Sequence, residues 1–384
     1  MTEKHLNSRA SGKLPSLSGT FFGAMSIFAL VLLVKNAESA VEYMKTALIL
    51  CANTVIPSLF PFMVVSDILT SSGIGAFLGR AIARPMRRIF GLGSEAGSVL
   101  LLGAFCGFPI GAKCAVSLYD SGRLSASECE KLLTFSNNPS SAFMISAVGI
   151  SLFGSRRQGL ILYALTLVSS LAVGIVFCRL IKEKEDAQSS HKKENSPPRH
   201  ALRFGADEFT SAITSSAFGV IRVCAFVVFF SVFLGTLGDL FESLRVTRTV
   251  RALFFCFFEM TGGMTEASRL ADTKSALIFA AFAAGWSGLS VHFQIMSICS
   301  GRGLSFKPYF AAKLSQGFLC ALFTSVCVGL FPQLTVSSTE SIFYPEAALT
   351  LSLHPAFVIF CAVLAGAIAI KLPLWYNRII KKRS

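Results

Sequence analysis

Apolar residues run through this chain in long blocks, and polar residues collect in short stretches between them. A helix needs roughly 20 mostly apolar residues to cross a bilayer. The segments 44–69, 158–181, 209–240, 275–298, 308–331 and 353–372 reach that length. Shorter or broken candidates lie at 20–34, 96–118, 128–153 and 252–264. The pattern predicts an all-α polytopic membrane protein with about eight to ten transmembrane segments, depending on how the broken ones are drawn. Long apolar runs, rather than alternating ten-residue segments, argue against a transmembrane barrel. Residues 74–90 (IGAFLGRAIARPMRRIF) place Arg80, Arg84, Arg87 and Arg88 among apolar positions at helical spacing. That is the pattern of an amphipathic helix lying in the membrane interface, and 244–258 is its candidate counterpart.

Composition agrees. The chain is 53% hydrophobic and only 15% charged, against roughly 25% charged in soluble domains. Its net charge of +14 would suggest nucleic acid for a soluble protein. In a membrane protein it follows the excess of Lys and Arg in cytoplasmic loops, so membrane lipids are the expected partner and nucleic acid is not. The eleven cysteines include no CxxC pair, and those inside apolar segments read as small packing residues. The stretch 20–34 reads as a first membrane anchor with its N-terminus inside.

Four units follow along the chain. Residues 1–40 form an N-terminal tail and the first anchor, 41–181 a first repeat, 182–208 a polar linker containing Pro197 and Pro198, and 209–384 a second repeat. CGFPIGAKCAVSLYDSGRLS at 106–125 aligns with SGLSVHFQIMSICSGRGLS at 287–305, matching Gly107 to Gly288, Pro109 to Ser290 and Lys113 to Gln294. Internal repeats of this kind characterise secondary transporters. Two topologies remain open: one takes 96–118 and 252–264 as crossings, and the other takes 96–118 and 275–298 as re-entrant hairpins.

Irregular backbone survives at membrane depth only where protein or a wet cavity satisfies it, so breaks in apolar segments point to sites. The first is GAFCGFPIGAK at 103–113, where Gly107 and Pro109 interrupt the run and Lys113 follows one turn into a new helix. A helix N-terminus attracts anions, and an intramembrane lysine faces a partner or a substrate. The second is TFSNNPSS at 134–141, where Asn137, Asn138 and Ser140 offer amides and a hydroxyl. The third combines Glu259 of EMTGGMTE with Ser290, His292 and Gln294 of GWSGLSVHFQ. Glu259 and His292 are candidates for a proton relay. No GxSxG elbow, HExxH pair, P-loop or Rossmann fingerprint is present. Enzymatic activity and ATP-driven transport are therefore not expected, no cofactor or metal is implied, and the coupling ion and oligomeric state stay open.

The blocks CGFPIGAK, SNNPSS, FFEMTGG and GWSGLSVHFQ, in this order over roughly 41–372, resemble the sporulation integral membrane protein family known as YlbJ or SpoVV. That family is grouped with the nucleoside-recognition (Gate) proteins and is distantly similar to nucleoside transporters. The resemblance implies a bacterial membrane protein of endospore formation, located in the membrane around the forespore and moving dipicolinic acid. It implies solute contacts at the broken helices, carried here by Gly107, Pro109, Lys113, Asn137, Asn138, Ser140, Glu259, Ser290, His292 and Gln294. A nucleoside carrier and a non-transporting scaffold for spore cortex assembly are the alternatives. The Cys and Phe content, the N-terminal extension and the linker depart from the family pattern.

Overall fold

A computed structural model describes residues 17–72, 74–182 and 205–334. The segment 353–372, the residues Lys381–Arg383 and nearly all of the linker lie outside the described residues. Among the described residues there is no strand, so the chain is an all-α polytopic membrane protein.

The first half comprises α1 (Leu17–Lys35), α2 (Ala37–Leu50), α3 (Ile56–Ser71), α4 (Ile74–Ala81), α5 (Ala83–Pro85), α6 (Ser94–Cys106), α7 (Ile110–Asp120), α8 (Ala126–Leu133) and α9 (Arg156–Leu180). The second comprises α10 (Ala206–Ser243), α11 (Arg248–Phe258), α12 (Met260–Ser268), α13 (Thr273–Trp286), α14 (Gly288–Cys299) and α15 (Lys307–Leu330). Among the described residues four helical segments are long and apolar enough to cross a membrane: α9, α10, α13 with α14, and α15. A fifth arises if Ala83–Phe90 and Ser94–Cys106, bent by 99°, count as one span. Of the other described apolar stretches, 20–34 lies in the single helix α1, whereas 44–69, 96–118, 128–153 and 252–264 are divided. Pro57 and Pro61 remove amide donors from the 44–69 run, which passes through a π-helical turn at Cys51–Val55.

Local sequence sets where several helices begin. The Ser125 hydroxyl accepts from the Glu128 amide at 3.1 Å and the Glu128 carboxylate accepts from the Ser125 amide at 2.9 Å, a capping box that starts α8. The Asp272 carboxylate accepts from the amides of Lys274 and Ser275 and starts α13.

Burial is arranged as in a membrane protein. Large apolar side chains face outward on the long helices, among them Phe218, Ile221, Leu180, Leu322 and Leu330. The interior instead holds many polar groups, including Asn137, Asn138, Thr166, Lys313 and Gln316. One core packs α3, α4 and α6 to α8 against parts of α10 and α14, and a second packs α12, α13, α15 and α9. Arg80, Arg84, Arg87 and Arg88 are exposed while Leu78, Met86 and Phe90 of the same stretch are buried, the two-faced arrangement expected for 74–90.

The two segments read as re-entrant candidates differ. In 96–118, α6 and α7 fold back on each other around Gly107 (φ 82°) and the cis Phe108–Pro109 bond. A Cβ on Gly103 would lie 3.2 Å from the Gly111 Cα, so glycine permits the reversal. In 275–298, α13 and α14 together form one apolar segment, broken at Ser287 (φ 73°) and Gly288 (φ 77°).

Candidate functional site

A cavity of about 700 Å³ opens between α3, α7, α10 and α14. Asp67 and Met63 of α3, Lys113 and Pro109 at the start of α7, Gly219 and Arg222 of α10, and Gln294 of α14 line it. Lys113 lies one turn past the Gly107–Pro109 break. Its ammonium donates to the Asp67 carboxylate at 2.5 Å, and the Ser216 hydroxyl of α10 donates to the same oxygen at 3.1 Å. Both ionic side chains are mostly buried. Gly219 brings α10 close: a Cβ there would lie 3.9 Å from the Lys113 Nζ and against the end of Met63. Arg222, one turn further along α10, also faces the cavity and has no ion-pair partner among the described residues.

The cavity continues to a second charged group. Asp120, seven residues beyond Lys113, lies about 10 Å further along α7 at 1.5 Å per residue. Arg302 donates to both of its carboxylate oxygens at 2.7 Å, the forked geometry that guanidinium favours. The same guanidinium donates to the Ile298 and Ser300 carbonyls at the end of α14. Its hydrogen bond to Asp120 raises its pKa above the usual arginine value. Asp207 and Glu208 of α10 also line this space.

Of the residues expected from sequence, Pro109, Lys113 and Gln294 come together at the cavity. Gly107, Asn137, Asn138, Ser140, Glu259, Ser290 and His292 do not line it. The first two breaks meet instead in a knot of backbone and amide groups. The Phe108 amide donates to the Asn138 carbonyl at 2.9 Å, and the Ala112 amide to the Asn137 Oδ1 at 2.7 Å. A Cβ on Gly103 or on Gly111 would collide with the Ser136 carbonyl oxygen, and one on Gly107 with Ser140. The Asn138 amide donates to the Phe135 carbonyl and the Ser170 hydroxyl, each at 3.0 Å. Both asparagines are fully buried and satisfy backbone that the break leaves unpaired.

The knot extends to a residue that sequence reading passed over. Lys313 of α15 donates to the Asn137 carbonyl and to the Gln316 Oε1, each at 2.8 Å. Gln316 in turn donates to the Asn138 Oδ1 at 2.8 Å.

The third region is also tied down. Glu259 accepts from the amides of Thr261 at 3.0 Å and Gly262 at 2.6 Å, capping α12. Gly288 packs on the Glu259 backbone, so these two breaks cross as well. His292 pairs through Nδ1 with the Tyr309 hydroxyl at 2.7 Å and lies edge-on to Trp286. Its Nε2 is buried with no hydrogen-bond partner among the described residues. No hydrogen bond joins Glu259 to His292 among the described residues.

Asp67, Arg222 and Lys313 were the signals available in sequence: each is a charge inside an apolar run. No run-averaged reading reveals which distant segment each one meets.

Helices with apolar outer faces around a charged inner cavity define an integral membrane protein of the all-α polytopic class. Over 338 residues the chain is 29% identical to the sporulation integral membrane protein YlbJ of Bacillus subtilis (strain 168), covering 81% of this chain and 83% of that protein. This similarity supports placing the chain in the YlbJ family. No family model and no solved structure matches it.

Proposed function

We propose that this protein is a secondary transporter of a small polar or anionic solute, bound between α3, α7, α10 and α14. The observation that carries the reading is the cavity itself: Lys113 and Arg222 both face it, and Asp67 is the carboxylate that Lys113 already engages. Its volume falls within the roughly 300–1,000 Å³ usual for small-molecule sites. An anion entering at the Lys113 end competes with Asp67 for the ammonium and gains Arg222, which offers two parallel donors to a carboxylate.

The repeat reading supports this. Lys113 and Gln294, matched by the internal alignment, line the same cavity from α7 and α14. Gly103 approaches the Ser136 backbone from α6 much as Gly285 approaches the Gln316 backbone from α13.

The family resemblance carried by the sequence blocks suggests dipicolinate, a small planar dianion, as the solute and the membrane around the forespore as the location. Equilibrium binding of labelled dipicolinate to the purified protein tests this. Saturable binding that is lost in Lys113→Met and not displaced by uridine is expected. Saturable binding of labelled uridine instead would make the protein a nucleoside carrier, and binding of neither would leave a scaffold role.

A further inference from the structure

Lys313 is completely buried, and no carboxylate pairs with it among the described residues. Buried lysines ordinarily have an ionic partner. This one has oxygens only: the main-chain carbonyl of Asn137 and the side-chain carbonyl of Gln316, each at 2.8 Å. Neither oxygen is free to turn away. The Asn137 carbonyl belongs to the unwound stretch 136–140, held from the other side by Ala112 and Phe108. Gln316 is oriented by its own amide, which donates to the Asn138 Oδ1 at 2.8 Å and the Thr166 carbonyl at 3.3 Å. The stretch also lies just past the C-terminal end of α8, where helical carbonyls carry partial negative charge.

Carbonyl oxygens of an unwound stretch beside a helix C-terminal end are the kind of donors that hold monovalent cations in membrane transporters, and here two such neutral oxygens converge on the ammonium. We propose that Lys313 fills such a site permanently: its ammonium is a tethered cation that holds the break of the first half against α15. The structure then needs no dissociable cation here to keep 136–140 in place. The assignment is independent of which solute the neighbouring cavity takes.

Replacing the lysine by alanine should open the site to a free cation. Thermal unfolding of the full-length protein in detergent reads this out, in choline, sodium, potassium and n-butylammonium chloride at equal ionic strength. Wild type is expected to melt at one temperature in all four. Lys313→Ala should melt lower in choline and recover at least half of the loss with sodium, potassium or butylammonium. Lys313→Met, which fills the site with an apolar chain, should melt lower and show no recovery. A Lys313→Met protein as stable as wild type, or a Lys313→Ala protein indifferent to the cation, overturns the proposal. If Lys313→Ala does not yield folded protein, Gln316→Leu and the double variant Lys313→Met with Gln316→Leu decide the matter. The double variant should melt higher, because Gln316→Leu alone leaves the ammonium one acceptor short. The reverse order overturns the assignment.

Discussion

Lys113 on α7 and Asp67 on α3 lie 46 residues apart in the chain and 2.5 Å apart in space. The pair closes one wall of the cavity and keeps a charge of each sign at its surface. Removing one member strands the other in a partly dry setting, which is more harmful than removing both. Lys113→Met and Asp67→Asn should therefore each lower the melting temperature. The double variant should be more stable than the sum of the two losses predicts, with a coupling of about 1–3 kcal/mol. Differential scanning fluorimetry in detergent checks the cycle, and strict additivity would argue against a paired role.

Gly219 and Gly103 differ in what a methyl group would meet. At Gly219 it meets the terminal methyl of the flexible Met63 side chain and the space beside Lys113. Gly219→Ala should fold normally, helped by up to about 1 kcal/mol of helix propensity, while raising the solute concentration needed for half-maximal uptake. At Gly103 it meets the Ser136 carbonyl within the knot. Gly103→Ala should cost about 1–3 kcal/mol or more of stability, seen as a lower melting temperature and less folded protein. Equal behaviour of the two variants would contradict the packing described.

Asn138 donates to two partners and accepts from Gln316. Asn138→Leu would remove one hydrogen bond each from the Phe135 carbonyl, the Ser170 hydroxyl and the Gln316 amide, which keep only one another or the Thr166 carbonyl, at about 0.5–1.5 kcal/mol for each bond. It should reduce the yield of folded protein. Asn137→Leu should do the same, because the Ala112 amide loses its acceptor. Size-exclusion profiles of both variants matching wild type would point to a solute role for these residues instead.

Glu259 caps α12, and His292 is engaged by Tyr309. Glu259→Gln should cost about 1 kcal/mol as a weakened cap, and neither Glu259→Gln nor His292→Gln should change the shape of the uptake-versus-pH curve. Loss of an inflection in either variant would restore the proton relay read from the sequence.

The breaks were legible in the sequence because Gly107, Pro109, Asn137, Asn138 and Gly288 are poor company for an uninterrupted apolar helix. Their chemistry was less legible. An amide in a broken helix can serve either a solute or the backbone that the break leaves open, and only the partners of Asn137 and Asn138 distinguish the two. The ion pair was hidden because Asp67 lies within an otherwise apolar run, where one carboxylate barely lowers the mean hydropathy. Lys313 escaped for the same reason. The apolar pattern also exposed the long helices α9, α10 and α15, but it joined 44–69 and 128–153 into single stretches that the chain divides with π-helical segments and, at 136–140, non-helical backbone.

Solute counterflow in proteoliposomes tests the central claim most directly. Vesicles preloaded with dipicolinate, diluted into trace labelled dipicolinate, should accumulate label transiently with wild-type protein. Lys113→Met should reduce the initial rate by about tenfold or more, the effect of losing one charged hydrogen bond. Accumulation in Lys113→Met vesicles equal to wild type, or no accumulation with correctly inserted wild-type protein, would contradict it.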